Sequence, residues 1–200
     1  MKEGNKLELK TLKFNSPIPP SVNKYLDKYI EKRGRGYSQL GFNKSKETLM
    51  YENHMRNVYH RIKKEKDWEL PDKSKFFEVN LKYFMHKKGT DPDNTLKLLL
   101  DGMVNNGIIP TDSQVLVKMN ELYIDSRKPR IEVELKIMDK IGVFRDELHL
   151  MEFKMKNCHK CKKSFYKKPC GCLKSYMDNY ITDDLDLDNM ECKKIKIIGE

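Results

Sequence analysis

The sequence predicts an α/β (α+β) fold: a small mixed β-sheet with flanking helices, plus a small C-terminal zinc-knuckle-like extension. Three observations predict it. Four short stretches alternate apolar and polar residues, as half-buried strands do. Two stretches between them repeat apolar residues at helical spacing. All five cysteines fall after residue 157. The order strand, helix, strand, helix, strand, strand suits one domain built around a mixed sheet. A chain of 200 residues can bury one good core with a small appendage. The expected boundaries are 1–140 for the main domain, 141–176 for a linker helix and cysteine-rich segment, and 177–200 for a poorly ordered acidic tail.

The elements follow in order. "KLELKTLKF", Lys6 to Phe14, sets Leu7 and Leu9 between charged neighbours and reads as a strand. "NSPIPPSVNKY" then interrupts regular structure, because three prolines remove donors and fix the backbone. "KRGRGYSQLGF" is basic and carries glycines, and is expected to be a flexible loop. From Ser45 to Glu65, Leu49, Met55, Val58, Tyr59 and Ile62 recur on a basic helix. "KFFEVNLKYFMH" is a strand with Phe77, Val79, Leu81 and Tyr83 on one face. The helix after Pro92 turns Leu96, Leu99, Leu100, Met103 and Val104 inward and stops at Gly107, a C-terminal cap. "VLVKMNELYI" and "RIEVELKIM", separated by "DSRKP", are expected to pair as a hairpin.

Composition narrows the partners. Forty basic against thirty acidic side chains leave a net charge of +10, which draws polyanions, nucleic acid first. The opening "MKEGNKLELK" lacks the apolar run of a signal peptide, and no stretch is long enough to span a bilayer. The expected location is the cytoplasm, where thiols stay reduced, and no membrane partner is expected.

Against that positive balance, "GTDPDNTLKLLLDGMVNNGIIPTDSQV" gathers Asp91, Asp93, Asp101 and Asp112 around one helix. Taken singly, each has a structural explanation: Asp91 an N-cap before Pro92, Asp93 a favourable dipole charge, Asp112 a turn residue. The set asks for more. A helix from Asp93 to Asn106 is roughly 20 Å long at 1.5 Å per residue. The extended "GIIPTD" runs back about as far at ~3.3 Å per residue, returning Asp112 to the helix start. Oxygen ligands completed by waters and a phosphate suit Mg²⁺. A calcium EF-hand loop is disfavoured, since its central glycine and terminal glutamate are missing. Lys97 lies one turn after Asp93, able to pair with the carboxylates, neutralise a phosphate or orient a water. Its structural alternative is a surface pair with Asp101, which sits too far along the helix to share the metal. Asn94 is open to either ligation or capping.

"PPSVNKY", "DPDNTLKLLLDGMVNNGII", "TDSQV" and the final "RIEVEL" strand together resemble the RusA-type Holliday junction resolvases. The resemblance spans roughly Leu7 to Met138. It implies a small homodimeric endonuclease that cuts four-way DNA junctions and related branched DNA with Mg²⁺ or Mn²⁺, and a phage or prophage setting. By position it puts the catalytic, metal-binding aspartates on Asp91, Asp93 and Asp112 and the essential lysine on Lys97. Thr111 stands where members carry a second acid. Read on their own, the residues agree, because phosphodiester hydrolysis needs an activated water and stabilised phosphate charge. For DNA contact the expected residues are Arg33, Arg35 and Tyr37 in the basic loop, with a solvated loop as the alternative.

"CHKCKKSFYKKPCGC" gives Cys158-x2-Cys161, eight residues, then Cys170-x-Cys172. Two close pairs in a reduced compartment point to a structural Zn²⁺ site of four thiolates, with His159 or Cys192 as alternative ligands. Lys162 and Lys163, among other lysines and Phe165 and Tyr166, suit phosphate contact and base stacking. A solvated basic loop is the structural alternative. The leading expectation is a Mg²⁺-dependent endonuclease on branched DNA. A non-catalytic nucleic-acid-binding protein is the rival, and the clustered carboxylates argue against it.

Overall fold

The computed structural model describes residues 11–33, 37–166 and 169–196, without the side chains of 31–33, 37–39, 165 and 166. The chain divides into two compact units, 1–73 with 77–137 and 74–76 with 138–200. The elements are β1 (Thr11–Ser16), β2 (Leu26–Arg33), β3 (Tyr37–Lys44), α1 (Lys46–Glu65), β4 (Phe76–Met85), α2 (Leu96–Asn105), β5 (Val115–Ile124) and β6 (Arg130–Met138). They continue with α3 (Glu147–Phe153), α4 (Lys162–Tyr166), α5 (Gly171–Met177), β7 (Leu185–Asp186) and β8 (Glu191–Cys192). The first unit holds a mixed four-stranded sheet in the order β1-β6-β4-β5, with β1 antiparallel to β6 and β5 parallel to β4. The expected class, a small mixed sheet with flanking helices, is the observed one.

The sheet is apolar on one face. Leu12, Phe14, Phe77, Val79, Leu81, Tyr83, Ile131, Val133 and Leu135 are buried there. Tyr51, Met55, Tyr59 and Ile62 from α1 and Leu98, Leu99 and Met103 from α2 join the same cluster. The other face is solvated and charged, with Lys13–Glu134 and Lys136–Glu134 at 2.8 Å and Lys82–Glu121 at 2.5 Å. Exposed pairs of this kind contribute about 0–1 kcal/mol each, so the apolar face supplies the stability.

Local chemistry sets the helix ends. Ser45 caps α1, its Oγ accepting from the Thr48 N–H at 3.2 Å. After α2, Gly107 takes φ +65°. Its N–H donates to the Val104 carbonyl at 3.1 Å and the Ile108 N–H to the Met103 carbonyl at 2.9 Å. Those two bonds form a Schellman stop, and the buried Ile108 carbonyl accepts from Trp68 Nε1 at 3.0 Å.

Two expectations are corrected. In the stretch read as a flexible loop, the described residues Lys32, Arg33 and 37–42 instead belong to the β2–β3 ribbon, in register from Leu26↔Lys44 to Arg33↔Tyr37. Its apolar residues lie outside the core: Ile30 is 69% exposed and Leu40 53%. Strands β5 and β6 do not form a hairpin. Beyond Ile124 the Asp125 carboxylate accepts from the Arg127 and Lys128 N–H groups, turning the chain over the end of β4. Arg130 then pairs with Asp125 and stacks on Phe84, starting β6 beside β4, where its strict alternation fits an interior slot. In the second unit, Leu185 pairs with Cys192 and Asp186 with Glu191, and Leu185 is buried. The expected strand residues Lys6 to Lys10 lie outside the described residues.

Leu99 in α2 is fully buried. Leu99→Ala should lower unfolding free energy by about 2–5 kcal/mol, whereas Leu49→Ala, on the exposed side of α1, should stay within about 0.5 kcal/mol. Denaturant unfolding of both variants is the measurement, and equal losses would contradict this core.

Candidate active site

The acidic stretch enters as a turn. A single 3₁₀ turn, Asp93–Thr95, precedes α2, and Pro92 rather than Asp91 occupies its N-cap position. The turn is tied to the sheet from below. The buried Tyr83 hydroxyl on β4 lies 3.2 Å from Thr95 Oγ1 and donates to the Pro92 carbonyl at 3.4 Å. Thr95 Oγ1 donates to the same carbonyl at 2.6 Å. Burial pushes the Tyr83 hydroxyl pKa up and the charge of Asp93 adds to this, so the phenol stays a neutral donor.

Above that anchor, Asp91 and Asp93 meet. Their side chains are within hydrogen-bonding reach, and this contact, followed by partial desolvation and the charge of Asp93, raises the Asp91 carboxyl above the usual carboxylate range. Asn94 Nδ2 donates to Asp91 Oδ2 at 3.1 Å. Asp91 and Asn94 line a groove of about 660 Å³ together with Asn23, Lys24, Glu47 and His54, among others. The groove comes from the proline-rich segment after β1, the exposed side of α1 and the turn itself.

Asp112 and Lys97 occupy the neighbouring ground. Asp112 is exposed in a turn where Thr111 Oγ1 and Ser113 Oγ lie 2.9 Å apart, and its carbonyl accepts from the Val115 N–H at 3.1 Å. Lys97 makes an ion pair with Asp101 at 3.2 Å, which raises its pKa first, with Asp112 a smaller contributor. Among the described residues, no three His, Cys, Asp or Glu side chains stand where they could hold a metal ion together. The structure therefore brings Asp91 and Asp93 into contact, sets Asp112 within electrostatic reach of Lys97, and gives Lys97 the Asp101 partner. The donors that do converge are all oxygen. That fits a hard divalent cation, and two carboxyls in contact are the feature a cation relieves.

The other named residues fall elsewhere. Arg35 lies outside the described residues, as do the side chains of Arg33 and Tyr37. Lys162 and Lys163 begin α4 in the second unit, where Lys163 lines a small cavity shared with the cysteines. The groove residues Asn23, Lys24, Glu47 and His54 were not singled out by sequence. "PPSVNKY" was the available signal, a rigid proline segment ending in polar groups.

The comparison that bears on this site is at family level. The profile of the Endodeoxyribonuclease RusA family matches residues 17–136, more than half of the chain. The chain belongs to the RusA endodeoxyribonuclease family. Asp91, Asp93, Lys97 and Asp112 all fall inside the matched RusA region, and the cysteines fall outside it. Comparison with curated proteins gave no match.

The raised Asp91 carboxyl makes the pair testable. A proton held on Asp91 competes with a cation, so affinity for Mg²⁺ should rise as pH increases through its pKa and fall below it. Asp93→Asn should return Asp91 towards the ordinary carboxylate range, read by carboxyl-carbon NMR titration. An unchanged Asp91 titration would mean that the contact with Asp93 is not the cause.

Proposed function

We propose that this RusA-family protein is a Mg²⁺- or Mn²⁺-dependent endonuclease that resolves four-way junctions or related branched DNA by paired phosphodiester hydrolysis. The observation that carries this reading is the Asp91–Asp93 contact, with Asp91 lining a groove, inside the matched family region. Asp91, Asp93 and Asp112 would hold the cation. Bound there, it would acidify a coordinated water and offset charge on the scissile phosphate.

The chain's own residues do the rest. Asn94 orients Asp91 through the 3.1 Å bond, and the Tyr83–Thr95 link keeps both acids at a fixed height over the sheet. Lys97 exchanges Asp101 for a phosphate oxygen. An exposed i,i+4 pair is worth only about 0.3–0.5 kcal/mol, so a phosphate displaces it readily. The net charge of +10 draws the DNA, and Lys24 in the groove wall and Lys28 on β2 extend the contact. Arg33, Arg35, Tyr37, Lys162 and Lys163 remain the further DNA-contact residues of this proposal.

Paired cuts need two sites. The β4–β5 register sets Met119, Leu122 and Ile124 opposite the buried Leu81, Tyr83 and Met85. These three therefore share the apolar face yet are 51%, 56% and 48% exposed. A second copy covering this edge would give a two-fold homodimer with two identical sites.

The decisive assay compares labelled four-way junction, flap and duplex DNA, each with and without Mg²⁺. Metal-dependent symmetric cuts in the junction are expected; cleavage of duplex alone, or none, would defeat the proposal. Asp93→Asn and Asp112→Asn should lose at least about a hundredfold in cleavage, more than outer-shell partners do, while retaining junction binding. Lys97→Met should lose about 10²–10³-fold in the same assay. Equal loss of binding and cleavage would assign these residues to DNA contact.

Leu122→Asp should convert the dimer to monomer in sedimentation and leave nicks in one strand only. A wild-type monomer, both free and on junction DNA, would remove the homodimer.

A further inference from the structure

The second unit gathers all five cysteines. Cys158 ends the π-helical turn Lys154–Cys158 after α3, Cys161 follows it, Cys170 is the N-cap of α5, Cys172 lies in its first turn and Cys192 ends β8. None is in a disulfide, and all five line one cavity of about 10 Å³. Cys158 is within electrostatic reach of Cys170, Cys192 and Cys161, whereas Cys172 is reached by Cys192 and Cys170.

One built feature serves these sulfurs. Asn157 is 2% exposed, and its amide joins the strand to the turn. Its Oδ1 accepts from the Cys192 N–H at 2.9 Å, while Nδ2 donates to the Met190 and Phe153 carbonyls at 3.0 and 3.1 Å. That buried amide pins Cys192 beside Cys158.

We propose that Cys158, Cys161, Cys170 and Cys192 bind one Zn²⁺ as four thiolates, with Cys172 left outside the set. Spacing alone pairs Cys170 with Cys172, whereas the fold brings the tail's Cys192 to Cys158. No three of the thiols are close enough to hold a metal as they stand, so binding draws them inward by side-chain rotation around their shared cavity. Each thiol that is still protonated releases its proton to solvent on binding. Lys163 and Lys194 line the same cavity and offset the charge that four thiolates leave after Zn²⁺. Sulfur donors also keep this site distinct from the all-oxygen acidic site, because soft ligands select Zn²⁺ over Mg²⁺. Tetrahedral ligation at about 2.3 Å would staple α3, α5 and the tail in a unit with a small apolar core.

The test uses the full-length chain purified with reduced thiols. Elemental analysis should find one zinc per chain. Cobalt titrated into chelator-treated protein should give thiolate charge-transfer and tetrahedral ligand-field bands that saturate at one equivalent. Cys172→Ser should leave these intact and Cys192→Ser should weaken cobalt binding at least tenfold. Because Cys192→Ser removes a residue packed in the unit, alkylation of the wild-type zinc form is the second reading. Fast labelling of Cys172 alone is expected. Absence of zinc and of the cobalt bands, labelling of Cys192, or metal loss in Cys172→Ser with retention in Cys192→Ser would each overturn the proposal.

Discussion

The acidic site depends on a hydroxyl buried under it. Tyr83 rises from the apolar face of β4 with 1% exposure, and its polar end must find partners there. It finds Thr95 and the Pro92 carbonyl, both in the turn that leads into α2. Two buried hydroxyls and one carbonyl thus settle where the turn sits, because leaving any of them unpaired would cost about 1–3 kcal/mol. Asp91 and Asp93 flank Pro92, so their height over the sheet follows from the same link. The charge of Asp93 in turn helps to keep the Tyr83 proton in place.

Charge then divides the labour. A chain of net charge +10 attracts a phosphate backbone without help from any one residue. Two carboxyls in contact do the reverse, repelling both phosphate and each other. A structural role does not require that contact: Pro92, not Asp91, occupies the N-cap position, and Asn94 satisfies only one oxygen of Asp91. A divalent cation would offset both repulsions, which is what supports assigning the acids and the basic surface to the one proposed activity.

Much of this was legible in the sequence, and the misses have physical reasons. Period-two alternation placed β4 and β6, and helical spacing placed α1, because burial on one face leaves a repeating mark. The β2–β3 ribbon left no such mark. Its Leu26, Tyr29, Ile30, Leu40 and Phe42 are all exposed, so no buried face imposed an alternation. Composition and spacing pointed to the acidic residues and to Asp91 beside Asp93 at the start of α2. Whether Lys97 turns to Asp101 or to the acids is decided by rotamers, which sequence does not encode. The groove residues Asn23, Lys24, Glu47 and His54 come from separate segments joined only by the fold. Cys192 entered the sequence reading only as an alternative ligand for a similar reason: β8 reaches Cys158 through a buried asparagine, thirty-five residues away along the chain.

The placement of β6 has the widest consequence. Had β5 and β6 paired as a hairpin, β5 would have lain inside the sheet with a strand on either side. Instead β6 lies between β1 and β4, and β5 takes the edge with one neighbour. The irregularity at Leu81/Lys82 re-phases the pairing, so Leu122 and Ile124 still face the way Tyr83 and Met85 do. Those β4 residues are covered by the core, while their β5 partners are about half exposed. A long apolar edge strand is a surface that proteins ordinarily blunt with charge or proline. Here the core-side positions Met119, Leu122 and Ile124 carry neither. An edge left apolar in a chain this rich in lysine is best accounted for by a partner. Under the proposed symmetric cutting of two equivalent strands, that partner would be a second copy of the chain.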